Sequence, residues 1–318
     1  MKLSIITPAW NAEAHIAECL RGVLAVPSDE IEIVVVDDGS SDQTAEVVRQ
    51  FASPQVKLIS HETNQGVMKA RETGIRNASG DFVTFLDSDD TIEPGAYQKI
   101  LQKAVDEDAD MVIFGYDEIV DGKSRKGLFK PSVPADKEQR TKDAISLKAS
   151  PFLWDKVVRR SILDKISFPP ENMAEDWAMT VQMMMLSDKV CCIDEALLHY
   201  HILNESYSHD KASREKIIER AMSEKANVEF IESLLAERGL EVTYSKEMDA
   251  RKSNVKRLLF PALGSKDSYA TWRNSFPEIN WRILGNGLLG AEYKIKHLCA
   301  MMGVYSPLHS AFTKLRGR

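Results

Sequence analysis

From residue 3 to about residue 116 the chain alternates, with little interruption, between short β-rich runs and amphipathic helical stretches. The runs cover residues 3–7, 31–36, 56–60, 82–86 and 111–116; between them, residues 14–26, 44–51, 67–78 and 95–106 repeat apolar positions every three or four. This alternation predicts a parallel sheet with helices on both faces, because parallel strands need long crossovers and the crossover helices pack on the sheet. The ground left open for a ligand is the crevice beyond the carboxyl ends of the strands. What each strand runs into is therefore the informative part of the sequence.

The run Phe82-Val83-Thr84-Phe85-Leu86 reads as a buried strand, and it stops abruptly in Asp87-Ser88-Asp89-Asp90. On an extended chain Asp87 and Asp89, two apart, point to one side. Oxygen ligands of this kind suit a hard divalent cation such as Mg²⁺, which takes one or two carboxylates and fills its shell with water and substrate phosphates. The competing reading is a solvated acidic turn that caps the next helix. The first run enters Thr7-Pro8-Ala9-Trp10-Asn11, with Glu13 beyond, and the second enters Asp37-Asp38-Gly39-Ser40-Ser41-Asp42. Asn64-Gln65-Gly66 follows the third, ahead of a helix with Lys69 and Arg71. A nucleotide needs an aromatic beside its base, a carboxylate for base or ribose, and a cation or helix N-terminus for its diphosphate. Taken singly each has a structural reading: Ser40 and Ser41 as caps, Pro8 and Gly39 as turn formers, Arg71 as a solvated helix residue. No G-x-G-x-x-G follows the first strand, so a dehydrogenase-type dinucleotide site is unsupported.

Composition bounds the function classes. A formal charge of -7 over 318 residues, without a basic domain, argues against nucleic acid as a partner. Cys19, Cys191, Cys192 and Cys299 lack zinc or disulfide spacing, and buried free thiols are expected. Neither a signal-like N-terminus nor a run of about 18 apolar residues appears, which leads us to expect a cytoplasmic protein.

The series Ile5-Ile6-Thr7-Pro8-Ala9-Trp10-Asn11, Val34-Val35-Val36-Asp37-Asp38-Gly39-Ser40, Asn64-Gln65-Gly66 with Ala70-Arg71, and Phe85-Leu86-Asp87-Ser88-Asp89-Asp90 resembles family 2 glycosyltransferases of GT-A fold. The likeness is dense over residues 3–96, with Trp10 where relatives usually have Tyr. The resemblance implies an α/β, Rossmann-like, mostly parallel sheet carrying a nucleotide-sugar site. Its nucleotide-binding candidates are Pro8, Ala9, Trp10, Asn11, Glu13, Asp38, Asn64, Gly66, Arg71, Asp87 and Ser88. Pro8, Trp10 and Asp38 would hold the base, Asp87 the ribose, and Asp89 a Mg²⁺ or Mn²⁺ on the diphosphate. Uridine is the commonest nucleotide of the family and so the expected one.

Beyond residue 116 the alternation stops. Residues 117–142 read as a hairpin or mobile loop, more a surface excursion than a lid, leading to a helix over 142–149. Inverting glycosyl transfer needs a base on the sugar face opposite the leaving group. Glu175-Asp176 precedes a helix-like run over 177–187; by resemblance Asp176 is the catalytic base and Glu175 positions the site, while the structural alternative is an acidic helix N-terminus. Trp154 and Lys156 resemble residues that flank the donor or acceptor sugar in bacterial surface-polysaccharide members. His201 stands where relatives often carry Arg, as a candidate for metal or phosphate or a structural histidine; His209 is weaker.

From residue 211 the periodicity turns helical, with Ile217, Ala221, Val228, Ile231 and Leu235 on one face and a stop at Gly239. Residues 291–318 are basic and apolar, a pattern that packs on the domain or lies on an anionic membrane surface. The expected organisation is a catalytic domain over 1–210, divided into a nucleotide-sugar half (1–116) and an acceptor half (117–210), with a helical extension over 211–318. The expected activity is inverting, metal-dependent sugar transfer from a nucleotide diphosphate to a glycan or lipid-linked hydroxyl, at the inner face of a membrane if the tail binds lipid. The alternatives are a sugar-phosphate nucleotidyltransferase, which usually shows a Gly-rich basic loop after the first strand, and a catalytically silent binding protein.

Overall fold

The computed structural model describes residues 1–120, 122–129, 131–202 and 213–306. The N-terminal part runs β1 (Leu3–Ala9), α1 (Ile16–Leu24), β2 (Ile31–Asp37), α2 (Thr44–Arg49), β3 (Val56–Ser60), α3 (Val67–Asn77) and β4 (Phe82–Phe85). Strand β1 lies at the centre, parallel to β2 on one side and to β4 on the other, and β3 adds parallel to β2. All seven residues of β1 are buried, as expected of a strand covered on both faces. The alternation thus gives the expected parallel sheet, with ends that, as far as β4, match those read in the sequence or differ by no more than two residues.

The second part runs β5 (Thr91–Ile92), α4 (Ala96–Asp106), β6 (Met111–Val120), β7 (Lys123–Phe129), α5 (Lys137–Ile145), β8 (Lys156–Arg159), α6 (Arg160–Leu163), α7 (Glu175–Leu186) and β9 (Val190–Ile202). The described strands form one sheet in the order β3-β2-β1-β4-β8-β6-β9-β5, with β7 paired to β6. Strand β8 is antiparallel to both β4 and β6, so the sheet is mixed beyond β4. Of the two readings of the 117–142 excursion, the hairpin is present: β6 runs on to Val120 and returns as β7, with Glu118 opposite Arg125. The next helix starts at Lys137 rather than 142, because Asp136 caps it by accepting from the Gln139 backbone N–H at 2.7 Å.

The C-terminal part is helical: α8 (Arg214–Glu237), α9 (Ser245–Leu258), a 3₁₀ turn at Phe260–Ala262, α10 (Lys266–Asn274), α11 (Ile279–Gly285) and α12 (Ala291–Met301). Ala221, Val228, Ile231 and Leu235 are buried on one face of α8, Ile217 is half-buried, and Gly239 follows the cap at φ 67°. One continuous core joins Val83, Phe85 and Trp177 to Val228 and Trp272. The helical region therefore packs on the sheet layer through shared apolar contacts. No helix among the described residues is long and apolar enough to cross a membrane. Cys19 is buried as expected; Cys191, Cys192 and Cys299 are only half-buried, and all four are free thiols.

Candidate active site

The ends of β1 and β2 are sewn together by their own polar residues. Asn11, in the left-handed region at φ 50°, accepts through Oδ1 from the Ser41 N–H at 2.9 Å, and its own N–H donates to Ser40 Oγ at 2.9 Å. Glu13 Oε2 accepts from the Gln43 N–H at 2.8 Å, and the Glu13 N–H donates to Asp42 Oδ2 at 3.1 Å. Pro8 and Ala9 are buried as the last residues of β1. Trp10 is left outside this knot, 57% exposed. Of the base-binding candidates it is the flat surface presented to solvent.

Asp38 is 3% exposed and its carboxylate is already engaged: Oδ1 accepts from the Gln65 N–H at 3.0 Å, Oδ2 from the Gly66 N–H at 2.8 Å, and His61 Nδ1 lies 2.7 Å from Oδ1. It holds the loop that carries Asn64 and Gly66, whose amide also donates to Asn64 Oδ1 at 3.1 Å. Two glycines allow this packing. A Cβ on Gly39 (φ 69°) would fall 2.5 Å from the Thr63 carbonyl carbon, and one on Gly66 (φ 92°) would fall 2.4 Å from Asn172 Nδ2.

Arg71 is the hub. It leaves α3 on the sheet side, is 3% exposed, and its guanidinium meets three carboxylates from two other segments. Nη2 donates to Asp87 Oδ1 at 3.2 Å; Nη1 donates to Glu175 Oε1 at 2.7 Å and to Asp176 Oδ1 at 2.5 Å. Ala174, the N-cap of α7, takes φ 62°, and the two acids occupy the helix's first turn. The helix N-terminus favours negative charge there. Burial opposes the Arg71 charge, but Asp176, Asp87 and Glu175 outweigh it and hold its pKa high. One cation does not balance three acids. Burial pushes Asp87 up to about 6 despite Arg71, with Asp176 and Asp89 adding to the rise. Burial and the neighbouring Asp176 raise Glu175 as well.

The extended arrangement expected for Asp87 and Asp89 is replaced by a turn, closed by the Asp90 N–H donating to the Asp87 carbonyl at 3.1 Å. Strand β4 stops at Phe85, so pleat alternation no longer governs the acids. Ser88 and Asp89 stay half-exposed on that turn, while Asp90 is fully buried. Asp90 Oδ1 accepts from the His201 N–H at 2.9 Å and Oδ2 has no protein partner. His201 Nε2 lies 3.0 Å from Thr91 Oγ1; burial lowers its pKa, which keeps the imidazole neutral near Asp89. Among the described residues no three His, Cys, Asp or Glu converge as a self-sufficient metal site. The donors present, a carboxylate at Asp89 with a neutral imidazole nearby, fit a cation whose shell is completed by substrate oxygens.

Lys156 does not reach this edge. It is 1% exposed, and its ammonium donates to the carbonyls of Ser150 (3.0 Å) and Phe152 (2.5 Å) and to Asp155 Oδ1 (2.5 Å). Lysine spacing from a tryptophan carries no information about which way the strand faces, and β8 turns Lys156 into the core. Trp154, 2% exposed, is stacked 4.7 Å from Phe152 and 5.5 Å from Tyr200. Half-buried Phe152 and Tyr200 flank it, and Tyr200 feels the charges of Asp90, Asp89 and Asp87. His209 lies outside the described residues.

Sequence reasoning passed over Asn172 and His61. Asn172 Oδ1 accepts from the Met68 N–H at 3.0 Å, across 104 residues of chain, and His61 Nε2 lies 3.0 Å from Thr73 Oγ1 while Nδ1 holds Asp38. Neither belongs to a local motif. The one signal was Gly66, which marks a close approach without saying by what.

The sequence profile described as Glycosyl transferase family 2 matches residues 4–166. The chain is 28% identical over 221 residues to glycosyltransferase GlyA of Streptococcus pneumoniae, across 65% of this chain and 31% of the relative. It is 32% identical over 209 residues to the Bacillus subtilis protein EpsH, a putative glycosyltransferase, across 63% of this chain and 60% of the relative. The chain thus spans from about a third to under two thirds of the length of these curated relatives. In three dimensions it superposes on S. aureus TarS residues 1–349, crystallised with UDP-GlcNAc, at a TM-score of 0.73 and 22% identity, covering 99% of this chain and 92% of that one. That likeness shows the GT-A fold. With its profile match over half the chain and its motifs gathered on one sheet edge, the protein belongs to glycosyl transferase family 2.

Proposed function

We propose that this family 2 glycosyltransferase moves one sugar, with inversion, from a nucleoside diphosphate, UDP by preference, to a hydroxyl of a glycan or lipid-linked acceptor. One observation carries the reading: the Arg71 guanidinium draws the strand-end acid Asp87 and the helix pair Glu175-Asp176 into one cluster. A donor site and a candidate base therefore share one cation. Trp10 offers a face to the base, and Asp87 a carboxylate to the ribose. Asp38, Asn11, Glu13, Asn64 and Gly66 shape the loops around them. Asp89, with His201 nearby, would hold Mg²⁺ or Mn²⁺, and a bound divalent cation would stabilise the leaving diphosphate as a Lewis acid. Asp176 takes the acceptor proton in this reading, which its greater exposure supports, 19% of side-chain area against 11% for Glu175. Glu175, whose pKa is raised by burial and by the neighbouring Asp176, positions the site beside it.

Trp154 lies beneath Phe152 and Tyr200, so its contribution to a sugar site is support of those rings rather than contact. Membrane attachment through the tail is a weaker second reading. Lys296 is paired with Glu292 at 2.6 Å, and Lys314, Arg316 and Arg318 lie outside the described residues.

The test is incubation with Mn²⁺ and a panel of α-linked UDP-sugars, with water as the acceptor, following UDP release and reading by NMR, before mutarotation, the anomeric configuration of the sugar set free. A β-configured product supports inversion at a single base. An α product overturns it, and no UDP release from any sugar moves the reading to the silent binding protein.

A further inference from the structure

Helix α8 carries an asparagine where its buried face should be apolar. Asn227 sits beside Val228 on that face and is 0% exposed. Its Oδ1 accepts from the Glu171 N–H at 3.2 Å, and its Nδ2 donates to the Glu171 carbonyl at 2.9 Å and the Met173 carbonyl at 2.8 Å. Both amide donors are used, so the side chain is fully committed to one stretch of backbone. Ser223, one turn earlier, donates to Glu171 Oε2 at 3.0 Å. An amide in a helix interior is costly to bury unless its partners require it.

The stretch it grips is a junction. Asn172, between the two gripped residues, reaches the other way, accepting from the Met68 N–H at 3.0 Å and packing against Gly66. Met68 is three residues before Arg71 on α3. On the other side, Met173 leads into Ala174 at φ 62° and then into Glu175 and Asp176. A shift of residues 171–173 therefore moves the donor loop and the acidic pair together. The C-terminal helices press on the same place a second time: the Arg251 guanidinium of α9 lies 4.3 Å from the Trp177 ring centroid and is ion-paired with Glu224 of α8.

We propose that Asn227 is a positioning residue for sugar transfer, through which the C-terminal helices set the spacing between the donor loop and the catalytic pair. This rests on the function proposed above. The residue lies outside the stretch matched by the family profile, and its hydrogen bonds go to the backbone of Glu171 and Met173. Its effect passes through Asn172 and Ala174.

The experiment uses the full chain and compares wild type, Asn227→Ala, Asn172→Ala and Tyr293→Phe. The last removes a hydroxyl that donates to the Ser253 carbonyl at 2.8 Å and controls for general loosening of the helical region. Hydrogen exchange at the Met68 amide should quicken by about tenfold in both asparagine variants, the scale of one lost hydrogen bond, and stay unchanged in Tyr293→Phe. Asn172→Ala removes the Met68 acceptor itself and sets the full size of the effect, and Asn227→Ser, which also loses the three bonds to Glu171 and Met173, keeps the coupling testable should Asn227→Ala fail to fold. For UDP-sugar hydrolysis, Asn227→Ala should lower kcat by about tenfold or more, with a smaller rise in KM, because it displaces the acids more than the exposed base platform. Unchanged Met68 exchange in Asn227→Ala, or an equal change in Tyr293→Phe, overturns the coupling. Altered exchange with wild-type kcat overturns the catalytic role. Failure of wild type to bind UDP-Mn²⁺ would defeat the donor reading, while Met68 exchange would still decide whether Asn227 governs the loop.

Discussion

The donor edge and the C-terminal helices both bury charge, and they balance it in opposite ways. At the edge, Asp87, Glu175 and Asp176 share one buried cation, Arg71, while the nearby Asp89 and Asp90 have no ion pair with it, and Asp90 keeps an oxygen without a protein partner. In the helices Arg251 meets Glu224, Arg282 meets Asp249, and Lys252 bridges Glu232 and Glu278. Cations and acids there nearly cancel. A structural network ends in neutrality because an unpaired buried charge is expensive. An edge left with surplus carboxylates is tolerated by raised pKa values, as at Asp87 and Glu175, and is prepared for added positive charge.

The largest separation between the regions should appear in turnover. Asp176→Asn should cut the rate of UDP-sugar turnover by about 10²–10⁴, the usual worth of a general base, while leaving UDP affinity within a few fold. Asp249→Asn, which disturbs the Arg282 pair, should leave turnover alone. Equal losses in both would erase the distinction. Removing the cations comes next. Arg71→Met and Arg251→Met each strand buried carboxylates and should each cost about 3–5 kcal/mol in urea unfolding. Millimolar Mn²⁺ should restore part of that stability in Arg71→Met and none in Arg251→Met.

Backbone substitutions sharpen the contrast at lower energy. Gly66→Ala meets both a left-handed φ of 92° and the Asn172 side chain, and should cost about 1–3 kcal/mol and weaken UDP binding. Gly239→Ala, at φ 67° with nothing within 4 Å, should cost about 1 kcal/mol and leave UDP binding intact. The pH dependence is the subtlest. Asp87 has a raised folded pKa, so between about 4 and 6 the native state binds a proton that the unfolded chain has released, and stability falls as pH rises through that window. Lys256 of α9 is the reverse. Burial lowers it to about 7, so from there to about 10.4 the unfolded chain binds the extra proton and stability rises with pH. Urea titrations across pH should show the lower slope flattened in Asp87→Asn and the upper slope flattened in Lys256→Met.

The sequence displayed the edge far better than its supports. Strand-helix alternation and four motifs were enough for the parallel half, since each motif sits where one strand stops. Trp10 was legible as an aromatic for the base, and its exposure is what the structure adds. Asp38 was legible as important but not as buried, because its partners are the backbone amides of Gln65 and Gly66. Lys156 was misread because a charged residue near a motif gives no hint of facing inward. Arg71 was legible as a nucleotide-binding candidate or a solvated helix cation, and only the approach of α7 shows that it is buried among acids from both halves of the site. Asn172 and Asn227 act across 104 and 56 residues of chain, a range at which no spacing rule operates.

The most direct measurement is the heat-induced unfolding midpoint with a panel of nucleoside diphosphates, each with and without Mn²⁺, on wild type and on Asp89→Ala. A ligand specific to the native state adds about 2.7 kcal/mol at a hundredfold excess over its dissociation constant. The account predicts a Mn²⁺-dependent rise with UDP in wild type that is lost in Asp89→Ala. A midpoint unmoved by every diphosphate, or a rise of the same size in Asp89→Ala, would contradict it.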